Sequence, residues 1–126
     1  MSEQGRIWVN EEYSKPENLD LDRVLEWIGF DAESLGTLVT KGLFYRIMCP
    51  KTSKTYRYPR WQFEVDTVRM AKVIRAYGKI ITGWRFHYLM IKHNDELGLS
   101  PAVLVMDPTL PLDPVLTLIK DSVKEA

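Results

Sequence analysis

Between Leu43 and Trp61 the chain reads LFYRIMCPKTSKTYRYPRW, and its side chains change character at every second residue. A period of two belongs to strands, whose successive side chains point to opposite faces. In the first run Phe44, Arg46 and Met48 alternate with Leu43, Tyr45 and Ile47; in the second Tyr56 and Tyr58 share one face and Arg57 takes the other. The polar, Pro-initiated PKTSK between them reads as a turn. Pro59 has no N–H to give a ladder, so the second strand ends there or lies at an edge. A β-hairpin with a cationic tip is expected, and the rest of the chain must be built around it.

The flanking segments have the other period. NLDLDRVLEWIGF places Leu21, Val24, Leu25 and Ile28 at helical spacing after Asn18 or Asp20, and Gly29 can end the helix. Asp31 can cap a second helix with Leu35, Leu38 and Val39 as its apolar stripe and Gly42 as its stop. Two short helices across a tight turn make a helix-turn-helix. After the hairpin, DTVRMAKVIRAYG, TGWRFHYLMIKHN, SPAVLVMD and DPVLTLIKDSV all read as helical, the last two with proline in the first turn. In the first of these, Val68, Ala71 and Ile74 fall three apart, Met70, Ile74 and Tyr77 add to the apolar side, and Arg69, Lys72 and Arg75 line up as a basic stripe. The second is apolar nearly all round, as a buried helix would be. The expected fold is α+β and mostly helical: a helix-turn-helix, a two-stranded β-hairpin wing and a helical C-terminal half. Residues 1–17 read as a polar arm with room for a short strand at Ile7, Trp8 and Val9, and residues 18–126 as a single winged-helix-like plus helical domain.

A chain of 126 residues can bury one core without staples, and no apolar run approaches the length of a membrane span. No apolar signal core opens the sequence, and Cys49, in LFYRIMC, is expected to be a buried, reduced and inert thiol. A cytoplasmic location is the expectation that follows. The formal net charge of zero conceals a segregation: residues 1–36 carry three Lys/Arg against nine Asp/Glu, residues 37–92 twelve against two, and residues 93–126 two against six. A basic middle between acidic ends suits a polyanion-facing patch or charge pairing within one fold. For a nucleic acid, the candidate contacts are Lys41 closing the second helix, Arg46, Lys51, Lys54, Arg57 and Arg60 on the wing, and Arg69, Lys72 and Arg75. The second helix is thin in base-reading side chains, so such a surface would favour phosphate over sequence. The same cations also suit a solvated strand edge and helix face.

The segment LGTLVTKGLFYRIMCPKTSKTYRYPRWQFE, with Gly42, Leu43, Tyr56, Tyr58, Pro59, Trp61, Gln62 and Phe63, resembles the hairpin of the Xre/MbcA/ParS-type antitoxin family. Downstream, Trp84 and Phe86 and then Leu97, Gly98, Ser100 and Pro101 resemble that family's aromatic helix and the step before its last helix, so the resemblance spans about residues 36–120. It implies a module that binds a toxin-like partner protein and helps self-association. The family's separate N-terminal DNA-binding domain has no counterpart in the short, acidic residues 1–35. The hairpin also resembles the wing of excisionase- and MerR-like DNA-binding domains, which implies possible DNA contact.

No catalytic constellation is legible. Two histidines and one cysteine form no zinc spacing, no glycine-rich phosphate loop is present, and His87 on an apolar helix reads as a hydrogen-bonded core residue. No metal, cofactor or membrane partner is expected. Three readings stay open: a non-catalytic partner-binding module, a nucleic-acid-binding winged helix, and a small-ligand pocket among the aromatic residues of 84–91.

Overall fold

The computed structural model describes residues 2–125; Met1 and Ala126, the outermost residues of the two predicted segments, lie outside them. The chain runs α1 (Glu3–Tyr13), β1 (Asn18–Leu19), α2 (Leu21–Ile28), α3 (Ala32–Thr40), β2 (Ile47–Met48), β3 (Tyr56–Pro59), a 3-10 helix (Arg60–Glu64), α4 (Thr67–Tyr77), α5 (Trp84–Ile91), α6 (Pro101–Met106) and α7 (Asp113–Glu125). This is the α+β, mainly helical class that the two periods predict.

Local chemistry places the helix ends. Asp20 and Asp31 each accept a backbone N–H, from Arg23 and Ser34, as N-caps of α2 and α3, and Asp66 accepts from Val68 and Arg69 at the start of α4. Gly29 closes α2 in the left-handed conformation. Residues 3–13, read as an arm with a short strand, form a helix instead. Ser2 caps it, its polar residues are good helix formers, and Trp8, Val9 and Glu12 fall on one face turned to the protein.

The hairpin gains a third strand. β1 pairs antiparallel with β3 (Asn18 with Pro59, Leu19 with Tyr58), and β2 pairs with its other side (Ile47 with Arg57, Met48 with Tyr56), so β3 is central. Pro59 is tolerated there because it is the last residue of its strand. β2 is only two residues long because Tyr45 finds another partner: its N–H donates to Gln62 Oε1 and its carbonyl accepts from Gln62 Nε2, both at 2.8 Å. A side-chain amide thus continues the ladder where Pro59 ends it. The outer edge of β2 is covered as well, by Met48 N–H donating to Thr82 O (2.9 Å) and Trp84 Nε1 donating to Met48 O (2.8 Å). The approach is tight at Gly83 (φ +86°), where a Cβ would lie 1.9 Å from the Arg46 carbonyl oxygen.

Two clusters of buried side chains lie about the sheet. One joins Leu19, Val24, Leu35, Phe44 and Tyr58; the other is built on Tyr45, Ile47, Met70, Val73, Phe86, Met90, Val105, Val115 and Ile119. Adjacent residues separate between them. Phe44 faces the first and Tyr45 the second, and in the 3-10 helix Trp61 packs on the second while Phe63 packs on the first. Of the expected apolar side of α4, Met70 and Ile74 are buried together with Val73, Ala71 and Tyr77 are half-buried, and Val68 is exposed. α5 is not buried all round, since Tyr88 faces outward.

Candidate interaction surfaces

The cations of the middle segment divide into used and free. Arg69 is used: its Nε donates to Val105 O, and its guanidinium reaches Leu104 O, Asp107 O and Leu110 O at 2.7–3.0 Å. It gathers carbonyls from the C-terminal end of α6 and the segment that follows, adding a second donor to Leu104 O and Asp107 O, which already accept backbone N–H groups. The expected Arg69–Lys72–Arg75 stripe therefore loses its first member, while Lys72 and Arg75 are exposed. Three wing arginines lie over rings. Arg46 stands 3.6 Å from the Tyr56 ring centroid, Arg57 5.0 Å from that of Tyr13 and Arg60 4.6 Å from that of Trp27. Arg57 does point away from Tyr56 and Tyr58, but Tyr13 of α1 covers that side, and the arginine is only half-exposed. Lys51 and Lys54, in the turn, and Lys41, at the end of α3, are exposed. Arg69 is thus withdrawn from any phosphate-facing surface, Arg46 and Arg57 are half-buried against rings, and Lys41, Lys51, Lys54, Arg60, Lys72 and Arg75 remain exposed.

The helix-turn-helix is acidic. Asp20, Asp22, Glu26, Asp31 and Glu33 are all exposed on or beside α2 and α3. Among them Trp27 and Phe30 remain 44% and 48% exposed. Trp27 lines a cavity of about 700 Å³ with Leu19, Asp20, Asp22, Arg23, Glu26 and Arg60. Phosphates would meet repulsion at the helices that should read the groove.

Behind the sheet lies a buried polar chain that joins α1, β1, the hairpin and α5. Trp61 Nε1 donates to Tyr45 Oη (2.9 Å), Tyr45 Oη is 2.7 Å from His87 Nδ1, and His87 Nε2 is 2.7 Å from Glu12 Oε2. Asn18 Nδ2 donates to Glu12 Oε2 (3.1 Å) and to the Glu12 carbonyl (2.6 Å). A neutral His87 carrying its proton on Nε2 gives every donor in this chain one acceptor. The His87 hydrogen bond is the main cause holding the Glu12 carboxyl down at about 2, against the opposing effect of burial, and Asn18 and Lys15 assist. Lys15 Nζ stands 3.1 Å from Glu12 Oε1 as an ion pair, yet that oxygen has no partner in hydrogen-bonding geometry among the described residues. Burial pushes the Tyr45 hydroxyl well above its ordinary range. Sequence marked His87 as a core histidine. It gave no sign that Glu12 or Gln62 is buried, because each is a polar residue whose burial depends on distant partners.

Cys49 differs from its expectation. It is half-exposed, and backbone N–H groups of Lys51 and Thr52 bring its thiol down to about 6. No group of three or more His, Cys, Asp and Glu is arranged to hold a metal among the described residues, and no helix there is long and apolar enough to cross a membrane. Compared with family models, curated proteins and solved structures, the chain matches none.

Proposed function

We propose that this chain is a non-catalytic module that binds a protein partner, in the manner implied by its resemblance to the toxin-binding part of an antitoxin. The observation that carries the reading is the face of α2. Exposed Trp27, with Asp20, Asp22 and Glu26 in the same cavity, and exposed Phe30, next to Asp31 in sequence, suit a partner that presents apolar side chains among lysines and arginines. Large aromatic residues in such a setting are the residues that anchor interfaces. A catalytic role fits poorly: both His87 nitrogens are engaged, and the Tyr45 hydroxyl lies wholly inside.

The test measures binding to the product of the adjacent gene, since antitoxins and toxins are encoded side by side. Calorimetry should give a complex that Trp27→Ala or Phe30→Ala weakens at least about tenfold, each losing more than about 1.4 kcal/mol. The reading is overturned if the wild-type proteins do not associate, or if the complex ignores both substitutions. Self-association removed by the same changes would assign the face to a second copy. Tight binding of duplex DNA, with an affinity falling steeply with salt and lost in Lys51→Gln/Lys54→Gln, would replace this reading with the nucleic-acid one.

A further inference from the structure

We propose that the groove between α1 and α5 binds a small planar aromatic anion. It is distinct from the α2 face and does not depend on the partner-binding reading. The groove encloses about 730 Å³, within the range of small-molecule sites, and is walled by Trp8, Trp84, Tyr88 and Leu89 with Tyr77 beside them. Trp8 meets Trp84 at 5.9 Å and 77° and Tyr88 at 5.2 Å and 87°, so edge-to-face contacts hold the three rings as a fixed wall. Tyr88 stays 43% exposed, so its ring is accessible from the groove side. A flat ring laid against this wall removes apolar surface from water with little loss of side-chain freedom.

The charge around the groove selects the sign of the ligand. Arg85 and Lys92 line it, and no Asp or Glu does among the described residues. Lys92 Nζ is held at the rim, 2.5 Å from Tyr88 Oη and 4.9 Å from the ring centroid. The N-terminal residues Ser2, Gln4 and Gly5 of the α1 region also line the groove, adding the positive end of the helix dipole. His93 lies there too, 3.7 Å from the exposed carboxylate of Asp95, which leaves Arg85 and Lys92 as the cations available to a carboxylate or phosphate. A cationic ligand would find no counter-charge among the described lining residues, and a neutral one would leave both cations unused.

The probe is indole-3-carboxylate, titrated by calorimetry into the full chain, with indole-3-carboxamide and cyclohexanecarboxylate alongside. The carboxylate should bind with a dissociation constant on the order of 1 mM or tighter, and the neutral amide and the aliphatic acid at least about tenfold more weakly. Arg85→Gln/Lys92→Gln should weaken the carboxylate about tenfold and leave the amide unchanged, while Lys51→Gln/Lys54→Gln should change neither. Arg85→Gln alone, at an exposed position, repeats the test at about threefold should the double variant melt early. No binding at about 10 mM, equal affinity for acid and amide, or indifference to Arg85 would overturn the proposal.

Discussion

Gly83→Ala is the substitution whose cost the structure defines most sharply. Two separate effects act at this residue. Its φ of +86° lies in the left-handed region, where an L side chain costs about 1–2 kcal/mol. The new methyl would also stand 1.9 Å from the Arg46 carbonyl oxygen, 2.9 Å from its carbon and 3.2 Å from Ile47 Cα. All three are backbone atoms of β2 or its approach, so no flexible side chain can swing aside. Either the start of α5 or the strand must move. Forced overpacking costs about 1–3 kcal/mol. A shift of the strand also strains the Met48–Thr82 and Trp84–Met48 hydrogen bonds, at about 1 kcal/mol each. The sum is about 4–7 kcal/mol, a large part of the stability of a domain this size. Gly29→Ala is the internal control, since its φ is +74° but no atom lies within 4 Å of a built Cβ. It should lose only the backbone contribution of about 1–2 kcal/mol. Equilibrium urea unfolding, followed by tryptophan fluorescence and far-ultraviolet circular dichroism, measures both variants. Losses within about 1 kcal/mol of each other would refute the packing argument, since the crowding at Gly83 would then have no consequence.

The buried carboxylate makes stability depend on acid. Because the Glu12 carboxyl falls from 4.5 to about 2 on folding, its ionised form contributes up to about 3 kcal/mol above pH 4.5. That contribution shrinks as the pH falls through the interval and vanishes below about pH 2; in Glu12→Gln, unfolding free energy should lose this acid dependence, and an unchanged acid limb would contradict the assignment. Alkylation of Cys49 by iodoacetamide should rise with an inflection near pH 6, and an inflection at pH 8–9 would mean that the backbone N–H groups do not stabilise its thiolate. Arg69→Gln should lose at least about 3 kcal/mol, charge-assisted hydrogen bonds being worth about 1.5–3 kcal/mol each. Lys72→Gln and Arg75→Gln should stay within about 0.5 kcal/mol in the same melts; a similar loss at all three positions would show that Arg69 has no special role.

Period and caps were legible because they are local. The alternation through Tyr56 and Tyr58 found the hairpin, and Asp20, Asp31 and Gly29 located helix ends through bonds spanning only a few residues. What sequence could not supply was pairing at long range. β1 is two residues long, too short for any periodicity, and exists only because β3 offers an edge. Glu12 looked like solvent-facing charge until His87, 75 residues away, gave it a partner. The charge segregation was real, but charge counts do not reveal engagement. Arg69 went to helix carbonyls, and Arg46, Arg57 and Arg60 to rings. The aromatic residues of α5 were visible as a group, whereas the Trp8 that completes the groove sits in a segment read as an arm.

The placement of Trp61 and Phe63 on opposite clusters bears on how the molecule comes apart. One turn of 3-10 helix carries an anchor for each cluster, with Gln62 between them bonded to both Tyr45 and Pro59. If the cluster of α2 and α3 loosens, Phe63 shifts and Trp61 must follow, because the two are separated by a single residue. The two halves are then expected to melt as one cooperative unit, with a single transition seen alike by the tryptophans and by the backbone.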